Sequence, residues 1–262
     1  MKKKIALLLS VAMVASLCMV GCGSKDTKKE NKVYAVEAGS AGEKIAKENK
    51  WKTNSVAAQA DALMEVKSGT SDAAIIDLLM AGAMIGEGTS YPNLKYTDKL
   101  TTEEYGVECR KESNLAAYIN NFFVDTYRSG QMKKVAEKYG VQEAILEQKE
   151  ADGGEIKDGD VKYIQDKGTL IVGITEFEPM DYKDKDGKWI GFDADMATLL
   201  AEKLGVKVKF VVIDWDTKAM ELESKNIDVV WNGMTLTDEV KSAMECTNAY
   251  CNNAQVVVVP AE

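Results

Sequence analysis

The 262 residues contain no histidine, and that absence settles much of the chemistry open to the chain. Ser-His-Asp and Cys-His nucleophiles and every histidine-containing metal site are excluded. Acid–base work would fall to carboxylates, lysines, tyrosines or cysteines. Two places set chemistry-bearing groups where a folded backbone could use them. The run Ala38-Gly39-Ser40-Ala41-Gly42 follows Val33-Tyr34-Ala35-Val36 and precedes the helical pattern EKIAKENK. A strand, a glycine turn and a helix start in that order gather backbone N–H groups where a carboxylate or phosphate could sit, and the run also reads as a plain tight turn. Asp77 follows the strand pattern Asp72–Ile76 and precedes a helix over 78–85. It falls at the carboxyl end of a strand, where open α/β sheets place ligands, and it equally suits a helix N-cap.

The elements that must position these residues alternate. A helix over Gln59–Lys67 separates the two early strands, and strand–helix alternation predicts a parallel sheet. Leu115, Ile119, Phe122, Phe123 and Thr126 mark one amphipathic helix, and Met132, Val135, Ala136 and Tyr139 another. Residues 149–160, KEADGGEIKDGD, read as a linker. A second α/β run follows: a strand over Thr169–Ile174, a hairpin turning at Asp186-Gly187, a helix through Phe192, Met196, Leu199, Leu200 and Leu204, and strands at Val229–Gly233 and Gln255–Pro260. The fold class is therefore α/β.

Charge and the amino terminus bound the setting. There are 33 Lys+Arg against 42 Asp+Glu, a formal charge of -9, which gives no electrostatic reason to hold nucleic acid. Lys2–Lys4 precede the apolar run IALLLSVAMVASLCMVG, which reads as an export signal. Met19-Val20-Gly21-Cys22 resembles the bacterial lipobox, implying cleavage after residue 21, lipidation of Cys22 and a polar tether over 22–32. Cys109, Cys246 and Cys251 then remain, and free thiols and one disulfide both stay open.

Gly191-Phe192-Asp193-Ala194-Asp195-Met196, continuing into TLLAEKLG, is similar to the signature of the extracellular solute-binding proteins of family 3, the polar amino-acid receptors of ABC transporters. GTLIVGITEFEPMDY resembles the family's first strand and ligand loop, and IDWDTKAMELESKNIDVVWNGMTLTDEVK its central passage. VYAVEAGSAGEK with SDAAIID resembles its second lobe, and EEYGVECRKESN through QMKKVAEKYGV its return segment. The order differs from the family's, since the usual second half comes first. The chain thus resembles a circular permutant of a two-lobe, type II periplasmic-binding-protein-like fold. Its second lobe is expected over 33–95, a hinge strand and returning helices over 96–148, and the first lobe over 161–262. In that order one lobe crossing ends at the carboxyl terminus, and only the segment near Thr101–Arg110 is expected to join the lobes covalently.

The resemblance implies a lipid-anchored extracytoplasmic receptor of a bacterial cell membrane. It would pass an amino acid to a permease with its ATPase, with no cofactor, metal or catalytic residue. A cleft-carboxylate dehydratase and a sensory lobe on the same fold are the alternatives. The resemblance assigns Phe177 and Trp215 to the aromatic positions around the ligand, and Asn232, Gly233 and Thr235 to its polar contacts. It assigns Ser40 and Ala41 to the helix N-terminus facing the ligand, and Asp77 to the acceptor of its α-ammonium. The family's carboxylate-clamping Arg is replaced by Val240, which leaves helix N-termini with Thr235, or Lys241, or a ligand without a carboxylate. Glu37 and Glu176, added to Asp77, favour a cationic or zwitterionic solute over an acidic one.

Overall fold

The computed structural model describes residues 32–149, 156 and 158–261. The export signal, Cys22, most of the tether and most of the 149–160 linker lie outside them. Chain order runs β1 (Val33–Glu37), α1 (Ala41–Glu48), β2 (Lys52–Val56), α2 (Gln59–Ser68), β3 (Ala73–Asp77), α3 (Leu78–Met84), β4 (Leu94–Lys99) and β5 (Glu103–Cys109). Helices α4 (Leu115–Arg128), α5 (Gln131–Lys138) and α6 (Gly159–Lys167) follow, then β6 (Thr169–Ile174), the small hairpin β7 (Tyr182–Lys183) and β8 (Trp189–Ile190), and α7 (Phe192–Leu204). The chain continues through β9 (Lys207–Val212), a 3-10 turn at Trp215–Thr217, α8 (Lys218–Glu223), β10 (Val229–Thr235), α9 (Asp238–Ala243), β11 (Glu245–Cys246), β12 (Cys251–Asn253) and β13 (Gln255–Pro260).

Two sheets share one plan. The first has the order β2-β1-β3-β13-β4 and the second β9-β6-β10-β5-β11. In each, a parallel trio grows from strand–helix–strand units. An antiparallel strand delivered from the other sheet is then inserted, β13 in the first and β5 in the second. β3, with the sequence AAIID, is buried along its whole length, as expected of a strand covered on both faces. The second sheet packs against α4 and α7, where Phe123, Trp231, Phe192 and Tyr250 form an aromatic cluster with ring centroids 5.5–6.5 Å apart. The stripes predicted at Leu115–Thr126 and Met132–Tyr139 are α4 and α5, and both face this core.

One expectation changes. The chain passes between the sheets twice, from β4 to β5 through residues 100–102 and from β12 to β13 through Ala254. The single-hinge expectation is therefore wrong: the carboxyl terminus falls after β13 has already joined the first sheet. The reason lies in Cys251–Asn253, which pairs with β5 before the valine run leaves for the other sheet, a short strand that apolar patterning does not reveal. The three thiols of the described residues are free. Cys109 and Cys251 are buried and Cys246 is half-buried.

Below the second sheet, Asp228 is fully buried and accepts Lys167 Nζ at 2.8 Å and the Ile171 N–H at 2.8 Å. Arg110 Nη2 stands 3.7 Å from the same carboxylate and 3.0 Å from Asp160. This cluster ties β5 to α6 and to the strand start after α8, so the inserted strand is fixed by charge as well as by its ladder.

Candidate ligand cleft

Between the carboxyl ends of the two parallel trios lies a cavity of about 470 Å³, within the size range of small-molecule sites. Glu37, Gly39, Ser40, Ala41, Gln59, Asp77 and Gln255 line it from the first sheet and its loops, and Phe177, Trp215, Lys218, Asn232, Gly233, Thr235 and Val240 from the second. Nine of the ten candidate site residues are thus brought together. Glu176 is not: its side chain is exposed and outside the cavity. β6 alternates as it runs out, so Thr175 and Phe177 turn inward and the residue between them turns to solvent.

Phe177 is buried, edge-on to Tyr105 with centroids 6.4 Å apart. Gly233 has φ +59°, and a Cβ there would meet the Phe177 ring at 2.5 Å, so this position needs glycine on both counts. The polar groups expected to face a ligand on this side are occupied within the protein. Asn232 Oδ1 accepts from the Thr175 N–H (2.9 Å) and hydroxyl (2.8 Å), and its amide donates to Asp181 (2.7 Å) and to the Thr175 carbonyl (3.1 Å). The Gly233 N–H donates to Asp193 at 2.7 Å. Thr235 donates its hydroxyl to Glu103 at 3.1 Å. Asn232 and Gly233 therefore build the wall and orient Phe177, and they offer no further side-chain amide or backbone donor.

On the opposite wall, Ser40 caps α1: its Oγ accepts the Glu43 N–H at 3.1 Å while Glu43 accepts the Gly39 N–H at 3.0 Å. This reciprocal pair fixes the helix start and leaves its first turn pointing at the cavity. Gly39 has φ +71°, and a Cβ on it would stand 2.7 Å from the Asp216 backbone across the cleft. Gly39→Ala should therefore hold the two halves apart and weaken any cleft ligand by about tenfold, as read by calorimetry, with little loss of melting temperature.

The carboxylates differ in state. Asp77 accepts from Gln59, Asn253, Tyr105 Oη (2.8 Å) and Gln255 Nε2 (2.8 Å). It stands at the N-cap position of α3 but makes no side-chain bond to that helix, so its carboxylate serves the cleft network instead. Asn253 and Gln255 also donate to Glu103, at 3.3 and 3.0 Å. Asp77 is thereby joined to the start of both inter-sheet crossings. Burial, with the Glu103 charge, raises the Asp77 carboxyl to about 7. Glu37 is 2 % exposed, and its Oε1 has no hydrogen-bond partner among the described residues. Burial, with the Asp77 charge, raises it to about 8, against the opposing pull of Thr175, Lys218 and Gln59. An orphan acceptor in a closed cavity is costly unless it is protonated or meets a cation.

Lys218, which sequence reasoning passed over, enters from the second half. Its Nζ donates to the Trp215 carbonyl (2.8 Å) and across the cleft to the Gly39 carbonyl (3.2 Å), and lies 4.9 Å from the Trp215 ring centroid. Burial holds its ammonium below the ordinary value. Lys241 is exposed and does not line the cavity, so it does not stand in for the missing Arg. Gln59, Tyr105, Asn253 and Gln255 were also missed. Gln255, a polar residue heading a valine run, is the one whose position carried a signal.

Sequence comparison bears on the second half. The profile of the bacterial extracellular solute-binding proteins, family 3, matches residues 170–262. Over this segment the chain is similar to that family. The L-cystine-binding protein TcyJ of Escherichia coli (strain K12) is 35% identical over 94 residues, which are 36% of this chain and 35% of that protein. The L-cystine-binding protein TcyA of Bacillus subtilis (strain 168) is 41% identical over 105 residues, 39% of each. Cyclohexadienyl dehydratase of Pseudomonas aeruginosa is 32% identical over 77 residues, 29% of each. The aligned segment thus spans little more than a third of the curated relatives it matches. With its two α/β sheets, each holding a strand from the other half, the chain has the type II periplasmic-binding-protein-like fold.

Proposed function

We propose that the protein is an extracytoplasmic receptor for a cationic or zwitterionic amino acid. It is anchored to a bacterial membrane through Cys22 and delivers its solute to an ABC importer. The observation that carries this reading is the orphan oxygen of Glu37, buried against a cavity whose aromatic and apolar wall, with Phe177, Trp215 and Val240, comes from the second half. Burial makes a cation on that carboxylate worth far more than at a surface. The reading moves the main cation contact from Asp77, whose carboxylate already accepts four donors, to Glu37. Asp77 then keeps the hinge amides in register.

The match at the carboxyl-terminal end of the chain, and the common strand order of the two sheets, support a circularly permuted arrangement of two lobes whose break lies between β13 and β1. The lobes are proposed over 33–99 together with β13, and over 161–253, with 103–148 returning to the second. A second reading has one observation in its favour: a carboxyl raised to about 8 in a closed cleft is also a general acid, and one relative is a dehydratase. A thermal-shift screen of the protein lacking residues 1–22 against the amino acids, cystine and polyamines tests the receptor reading, because a ligand of the folded state raises the melting temperature by mass action. A shift with a basic amino acid that is recovered unchanged supports the receptor. Turnover of the added compound supports the enzyme.

A further inference from the structure

We propose that Lys218 is the carboxylate anchor of this cleft, in the role that Val240 cannot fill. The inference rests on the receptor reading and extends it to a residue that determines specificity. Val240 lines the cavity with a partly buried apolar side chain packed against Trp215 and its neighbours, and offers no donor. Lys218 reaches the same space from the start of α8. Its bond to the Gly39 carbonyl sets the ammonium beside the residue that precedes Ser40 and Ala41, at the first turn of α1. An ammonium has three donors, and two are committed to the Trp215 and Gly39 carbonyls. The third is left for a ligand anion beside the start of α1, where the helix N-terminus adds its favourable dipole.

The other cations on the lining are already paired. Lys44 sits 3.3 Å from Glu239 and Lys47 2.8 Å from Glu43. Lys218 touches carbonyls only and is shielded by the Trp215 ring. A second, independent feature points to a ligand spanning the cavity: the orphan oxygen of Glu37, more than nine-tenths buried, faces the same space. Lys218 and Glu37 thus offer a positive and a negative contact to the two ends of an amino acid. The carboxylates near Lys218 are Glu37 and the buried Glu108 of β5, with Asp216 and Glu239 toward the rim. None of them lies within ion-pair distance of it among the described residues.

The test compares each of two amino acids with its decarboxylated counterpart. L-arginine against agmatine, and L-lysine against cadaverine, are titrated by calorimetry at pH 8 into the protein lacking residues 1–22. The wild-type chain should prefer an amino acid over its amine by about 30-fold or more, the size of a buried charged contact. Lys218→Met keeps the aliphatic stem and should reduce that preference to about threefold or less by weakening the amino acid alone. Lys218→Arg should retain most of it, and the melting temperature of each variant controls for folding. If the amino acid binds and Lys218→Met leaves the preference intact, the anchor is wrong while the receptor stands. If none of the four probes binds the wild-type chain, the cationic receptor reading and the anchor fall together.

Discussion

Glu37→Gln should weaken binding of a basic amino acid about 100-fold at pH 8 while making the empty protein more stable there. Both effects come from one oxygen. In the empty cleft Glu37 Oε1 has no partner among the described residues, so ionising it carries a desolvation cost that Thr175, Lys218 and Gln59 only partly offset. A bound cation removes that cost, and the amide variant has no charge to offer it; losses of this kind run to about 2–5 kcal/mol. Binding near neutral pH should release a proton, because the carboxyl that sits at about 8 when empty must ionise to take the cation. Calorimetry of wild type and variant measures the affinities, and urea unfolding of the empty proteins measures the stability. Equal affinity in the two would remove Glu37 from the site.

The ligand-free protein should lose several kcal/mol of stability between pH 5 and pH 8.5. Glu37 rises from 4.5 to about 8 and Asp77 from 3.8 to about 7 on folding, and burial also raises Asp193 to about 7. Burial pushes Asp181 and Glu108 upward as well. For each, the unfolded chain gives up its proton near pH 4 while the folded chain keeps it. The folded state binds more protons throughout the window, so unfolding free energy falls as pH rises and levels off only above the folded values. One group moved by about three units accounts for about 4 kcal/mol. Asp160 and Glu43 are held below their ordinary range and act in the opposite sense, losing their contribution as pH falls below about 4, which places the stability maximum near pH 4. Urea midpoints across pH 4 to 9 give the profile. A midpoint that climbs toward pH 8.5 would show these carboxylates to be ionised in the empty cleft.

Much of the architecture was legible because it rests on periodicity and punctuation. β3 is a continuous apolar run ending in a charge, α4 carries its stripe at helical spacing, and Asp186-Gly187 turns the hairpin. The second crossing was not legible, since β12 is three residues long and owes its place to pairing with β5. At the site, types and order indicated which residues gather, and the resemblance supplied their expected roles. What neither could supply is how hydrogen bonds are shared. Asn232 and Gly233 look like ligand contacts until their donors are seen to end on Asp181, Thr175 and Asp193. Glu37 and Glu176 look equivalent in sequence, yet Glu37 ends a strand buried on both faces while alternation after β6 exposes Glu176. Lys218 lies in an otherwise ordinary helical stretch, and only the approach of Gly39 from the other half makes it part of the cleft.

The most direct test of the central claim is a calorimetric titration of L-arginine into the protein lacking residues 1–22 at pH 7.5, run in parallel in phosphate and Tris buffers. A saturable heat whose size depends on buffer ionisation enthalpy, corresponding to release of about one proton and lost in Glu37→Gln, is the predicted result. Saturable binding of L-glutamate in place of L-arginine, or arginine binding with no proton released, would contradict a cleft built around a protonated, buried carboxyl that waits for a cation.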